Sequence, residues 1–134
     1  MNIALIADDG KKELMVQFCI AYCGILAKHT LCATARTGQQ IADATGLTIH
    51  RFLSFAHGGG QQIAARIAYN EIDMVLCFDD PNKRTTHEDI LYIAKLCDKN
   101  NIPIATNLAC AEMLILGLAR GDLDWRDIVH PQND

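Results

Sequence analysis

The chain has no surplus of positive charge. Lysine and arginine number 12 against 16 aspartates and glutamates, for a net charge of −4 with the five histidines neutral. Such a balance is a poor match for a phosphate backbone, so nucleic acid is not an expected partner. No apolar run approaches the roughly 20 residues that cross a bilayer, which removes a membrane partner from the expectation. Residues 1–7 lead directly into apolar chain without the flanks of a signal peptide, and a cytoplasmic protein is expected. Repeats, linkers and low-complexity segments are also lacking. The 134 residues read as one domain, 1–134, with 122–134 as a polar C-terminal tail. Metal-ligand spacing is missing too. Asp8, Asp9, Asp80, His57 and His87 could share a divalent ion, but they follow no known ligand pattern, and no metal is expected.

What the chain does have is apolar residues, half of the total, and six cysteines. The cysteines lie inside apolar segments, as in Met74-Val75-Leu76-Cys77-Phe78, and read as reduced buried thiols. Residues 2–7 are apolar throughout after Asn2, as a central parallel strand requires. Leu14, Met15, Phe18, Cys19, Tyr22, Ile25 and Leu26 then recur at helical spacing and predict one helix over about 11–27. Strands are expected at 30–34, 48–53, 73–78 and 102–107. Helices are expected at about 35–44, 61–69, 87–99 and 109–120. This alternation predicts an α/β, three-layer, doubly wound fold with a central, mainly parallel five-stranded sheet.

Ligands of such folds sit beyond the carboxyl ends of the strands. The conspicuous polar residues cluster there: Asp8, Asp9 and Lys12 after the first strand, then Thr34, Arg36 and Thr37 after the second. Ser54 and Gly58-Gly59-Gly60 follow the third, and Asp80 and His87 the fourth. A glycine loop that opens a helix offers backbone N–H groups to an anion, so this stretch reads as a site for a phosphorylated ligand. Read singly, the residues are open. Thr34 and Thr37 serve equally as phosphate ligands or helix caps. Arg36 is either surface charge or a planar clamp for phosphate. Lys12 is a solvated helix lysine or a ligand contact. His57 reads as a loop residue, with substrate or proton contact the lesser reading.

With these residues in place, the chain resembles the methylglyoxal synthase family over nearly its whole length. The resemblance rests on Ile3-Ala4-Leu5-Ile6-Ala7 with Asp9 and Lys12, Ala33-Thr34 with Thr37-Gly38, and Gly58-Gly59 with Gln61-Gln62-Ile63. Asp80-Pro81 with His87-Glu88 and Ile102-Pro103-Ile104-Ala105-Thr106-Asn107 complete it. It implies a homohexameric lyase that needs no metal or organic cofactor. That enzyme converts dihydroxyacetone phosphate to methylglyoxal and inorganic phosphate through an enediolate. The resemblance places Lys12, Thr34, Thr37 and Ser54 on phosphate-binding positions, Asp9 and His87 on active-site positions, and His87 on the group that polarises the substrate oxygen. Asp89 matches a second active-site aspartate, offset by one deleted residue.

The departures fall in the site itself. The family's catalytic base is an aspartate directly before Gln-Gln, and Gly60 stands there. Asp8 replaces a histidine, Ala35 and Arg36 replace a glycine and a threonine, and Phe55-Ala56-His57 replaces a Gly-Pro-aliphatic segment. A substitute base would come from Asp8, Asp9 or Asp89. The alternative is a non-catalytic binding or regulatory protein for a small phosphorylated metabolite. An aspartate restored at position 60 is expected to recover activity if the backbone there is not left-handed.

Overall fold

The computed structural model describes residues 1–129, with the side chains of 84–87 lying outside the described set. Five strands, β1 (Asn2–Ala7), β2 (Thr30–Ala33), β3 (Ile49–Arg51), β4 (Met74–Phe78) and β5 (Ile104–Ala105), form one sheet in the order β3-β2-β1-β4-β5. Every neighbouring pair is parallel, with Leu5 opposite both Ala33 and Leu76. The doubly wound α/β architecture expected from the alternation is the one observed.

The strand residues sort by parity. Ile3, Leu5, Ala7, Leu31, Met74, Leu76 and Phe78 face one layer, where they meet Met15, Phe18, Ile41, Ala111 and Ile115. Those partners come from α1 (Lys12–Ala21), α3 (Ala35–Thr45) and α6 (Leu108–Ala119). Ala4, Ile6, Cys32, Val75 and Cys77 face the other way. They pack on Ile63 and Ile67 of α4 (Gly59–Ala68) and on Ile90, Ile93 and Cys97 of α5 (Arg84–Lys99). Because both faces are covered, β1 beyond Asn2 and all of β4 have to be apolar, which is why they show no alternation.

Three local differences from the sequence-based reading have physical causes. The expected helix over 11–27 is two: α1 ends where Tyr22 leaves the helical region (φ −110°, ψ 23°), and α2 (Cys23–Leu26) follows. The Tyr22 hydroxyl is drawn to Glu112 on α6, 2.8 Å away. Helix α4 starts at Gly59, two residues earlier than expected, because Gly58 turns the chain at φ 106°. The polar C-terminal stretch holds a short helix, α7 (Trp125–Val129), while 130–134 lie outside the described residues. Arg126 is its anchor, 1% exposed. Its guanidinium reaches Asp73 at 3.2 Å, donates to the carbonyls of Asn100 and Asn101, and meets Asn70 Oδ1 at 2.8 Å.

The cysteines are all free, as expected, and four are buried. Burial pushes the Cys32 thiol up to about 11 and the Cys19 and Cys97 thiols up to about 12. Cys110, by contrast, is exposed, and Cys23 is half-buried. A helical surface position does not announce itself when the helix is apolar all round, as α6 nearly is.

Candidate active site

At the carboxyl edge of the sheet the chain reverses direction of travel. β1 leads outward to β2 and β3, and β4 returns to the other side of β1. The crevice at such a switch point is where doubly wound folds bind ligands. Here it is a cavity of about 960 Å³, ample for a small ligand. Its floor is the ends of β1 and β4, and its walls come from the N-terminus of α3, the 54–57 turn and α5.

The first turn after β1 is built by Asp8. Its carboxylate accepts the Gly10 N–H at 3.1 Å and an ion pair from Lys83 at 3.2 Å, and only 8% of the residue is exposed. The same contact raises the Lys83 ammonium above its ordinary range. Lys12 lies over this turn. Its ammonium donates to the Ala7 carbonyl at 2.8 Å and pairs with Asp9 at 3.0 Å. An ammonium carries three donors, so one remains for a ligand. Lys12, followed by the more distant Arg36 and Lys83, holds the Asp9 carboxyl below the usual carboxylate range.

Thr34 occupies the N-cap position of α3, yet its side chain makes no capping bond. The Thr37 hydroxyl, in a residue 1% exposed, has no hydrogen-bond partner among the described residues. Capping was one of two readings for these threonines, and neither hydroxyl is used that way. Arg36 borders the cavity with its side chain exposed. A cation beside a helix N-terminus suits an anionic group.

Ser54 begins a 3-10 turn, Phe55–His57, and its hydroxyl lies 2.6 Å from His57 Nδ1. Both line the cavity, as does Asp89 from α5. The cavity thus gathers Asp8, Asp9, Lys12, Thr34, Arg36, Ser54 and Asp89 from the residues singled out in the sequence. Thr37 and the three glycines stand behind the wall. The His87 backbone belongs to α5, and its side chain lies outside the described residues. Gln39, Arg51 and Asp79 also border the cavity and were not anticipated. Arg51 closes β3, so its place at a strand's carboxyl end was the available signal. Among the described residues no group of three or more histidines, cysteines or acids is placed to hold a metal ion.

A family model for the MGS-like domain matches residues 15–106. The chain is 60% identical over 133 residues to the methylglyoxal synthase of Caldicellulosiruptor saccharolyticus, covering 98% of this chain and 94% of that one. It is 53% identical over 135 residues to the enzyme of Oceanobacillus iheyensis, covering 100% and 96%. The chain belongs to the methylglyoxal synthase family. The crystal structure of methylglyoxal synthase from Elizabethkingia anophelis NUHP1 superposes with a TM-score of 0.79 at 36% identity, covering 85% of this chain and 76% of that one.

Against the methylglyoxal synthase pattern set out above, the glycine run has three separate explanations. Gly58 supplies a left-handed turn at φ 106°. At Gly59 a Cβ would lie 2.0 Å from the Leu53 carbonyl oxygen, so no side chain fits. Gly60 is different. Its backbone is helical, and what a Cβ would meet is the Phe55 ring, at 2.9 Å from Cε2 and 3.1 Å from Cζ. The room of a residue-60 side chain is therefore occupied by the phenyl group five residues earlier. Glycine at 60 and phenylalanine at 55 are thus complementary in volume.

Proposed function

We propose that this methylglyoxal-synthase-type lyase converts dihydroxyacetone phosphate to methylglyoxal and inorganic phosphate in the cytoplasm. The observation that carries the reading is the convergence of Lys12, Thr34, Arg36 and Ser54 on one cavity at the switch point of the sheet. The ester phosphate rests on the Lys12 ammonium and the Thr34 and Ser54 hydroxyls, with Arg36 taking the place of the family's threonine and Thr37 buried behind them. Asp9, held ionised by Lys12, keeps that ammonium in position. His87 polarises the substrate carbonyl, and Asp89 assists from the same helix. No cofactor is required, because the reaction moves electrons only within the substrate.

The test is formation of methylglyoxal from dihydroxyacetone phosphate by the purified protein, together with calorimetry of inorganic phosphate. Turnover above the uncatalysed rate, with phosphate binding that Lys12→Ala weakens at least tenfold, is the expected result. Binding without turnover assigns the chain to the regulatory class instead, a reading to which the Phe55 ring over position 60 lends its support.

A further inference from the structure

We propose that His57, oriented by Ser54, is the general base of this lyase. The inference rests on the lyase reading above, and it starts from which groups in the cavity are able to accept a proton from carbon. Position 60 offers none. Asp8 is engaged by the Gly10 N–H and by Lys83. Asp9 is engaged by Lys12, which makes it a weaker base still. A carboxylate stabilised by an ion pair loses that stabilisation on taking a proton. Asp79 also borders the cavity and has an interaction partner of its own. Two further bordering groups, Asp89 on α5 and His57 on the 54–57 turn, have no ion pair among the described residues.

Of these, His57 has the properties a base needs. Its Nδ1 is 2.6 Å from the Ser54 hydroxyl, so the ring is held by a neutral partner. With the proton on Nδ1 donated to Ser54 Oγ, Nε2 carries the lone pair. Imidazole is in general roughly two units more basic than a carboxylate and is matched to neutral pH. His57 also sits on the turn that carries Phe55, whose ring fills the room of a residue-60 side chain. The new base and the filled position belong to one local rearrangement.

The step balances without a co-reactant. Nε2 takes a proton from the hydroxymethyl carbon. The C–H electron pair becomes the carbon–carbon double bond of the enediolate, and the carbonyl pair moves onto its oxygen. Transfer of the hydroxyl proton to the departing phosphate then forms the aldehyde, shifts the double bond and breaks the carbon–oxygen bond to phosphate. The departing phosphate keeps that electron pair. The resulting enolate accepts a proton at its terminal carbon, and the imidazolium formed in the first step is a source of it.

The discriminating variant is His57→Asn. Its amide keeps a donor near the Nδ1 position for Ser54 and has nothing at Nε2. In deuterated water, nuclear magnetic resonance follows exchange at the hydroxymethyl carbon of dihydroxyacetone phosphate alongside methylglyoxal formation. His57→Asn is expected to lower both by roughly 10²–10⁴-fold, the usual contribution of a general base. Inorganic phosphate should bind within about twofold of the parent, which also reports that the variant is folded. Asp89→Asn, at a residue with an assisting role, should lower exchange far less than His57→Asn does. The proposal is overturned if His57→Asn keeps its exchange rate or loses phosphate affinity instead of kcat. It is equally overturned if the parent protein shows no exchange. Exchange in the parent that His57→Asn loses, without methylglyoxal from either, upholds His57 as base and defeats the lyase reading.

Discussion

At the residue scale, Gly60 and Phe55 show how one substitution changes the meaning of another. Glycine at 60 is not demanded by its backbone, which is helical. The obstacle to a side chain is the edge of a phenyl ring, the movable end of a flexible residue. Gly60→Asp alone forces that ring aside, and such overpacking typically costs about 1–3 kcal/mol. In a His57→Asn background, we expect Gly60→Asp by itself to restore little turnover. Combined with Phe55→Ala it should recover up to ~10²–10⁴-fold. Methylglyoxal formation by the single and double variants, with melting temperatures alongside, checks this. Equal rates in the two would show that the ring swings away freely. The glycine at 60 was legible in the sequence, but its packing was not, because nothing in local patterning says that residues 55 and 60 share a volume.

At the scale of elements, α7 illustrates a different limit. Residues 122–134 are polar and carry no apolar periodicity, so they read as a tail. Five of them are nevertheless a helix, held by one buried guanidinium. Arg126 satisfies the Asp73 carboxylate, which also accepts the Asn2 N–H at 2.8 Å, and caps the carbonyls of Asn100 and Asn101 at the end of α5. Removing one partner of a buried pair leaves the other charge uncompensated, at a typical cost of about 3–5 kcal/mol. Arg126→Ala should therefore lower the thermal midpoint by on the order of 10 °C. Adding Asp73→Asn should recover part of the loss, since the stranded charge is gone. Calorimetric melting of the single and double variants measures both. By contrast, α3 was nearly complete in the sequence: Gly46 at φ 74° ends it one residue after Thr45, in the left-handed cap that glycine favours.

For the whole molecule, the surface leaves several large apolar side chains in water, among them Ile20, Leu91, Tyr92, Met113 and Ile128. The methylglyoxal synthase resemblance implies a homohexamer, and we expect one. Sedimentation at micromolar concentration should give a particle near six times the 14.8 kDa chain mass. A monomer there removes the assembly from the account. No helix among the described residues is long and apolar enough to cross a membrane.

What the sequence determined by itself was the frame and the side on which to look. Strands apolar at every position must be buried on both faces, and successive parallel strands need helical crossovers. The strand ends then lie together, and with them Asp8, Lys12, Thr34, Arg36 and Ser54. These conclusions follow from local periodicity and connectivity. Tertiary structure alone decided which side chains meet across that edge. It put Phe55 over Gly60, Ser54 on His57, Lys83 on Asp8 and Arg126 on Asp73. Each of these contacts depends on side-chain directions set by a turn or by distant packing. Such directions shift by ångströms with one residue of loop geometry, and ångströms separate a base within reach of a proton from one tied up in an ion pair.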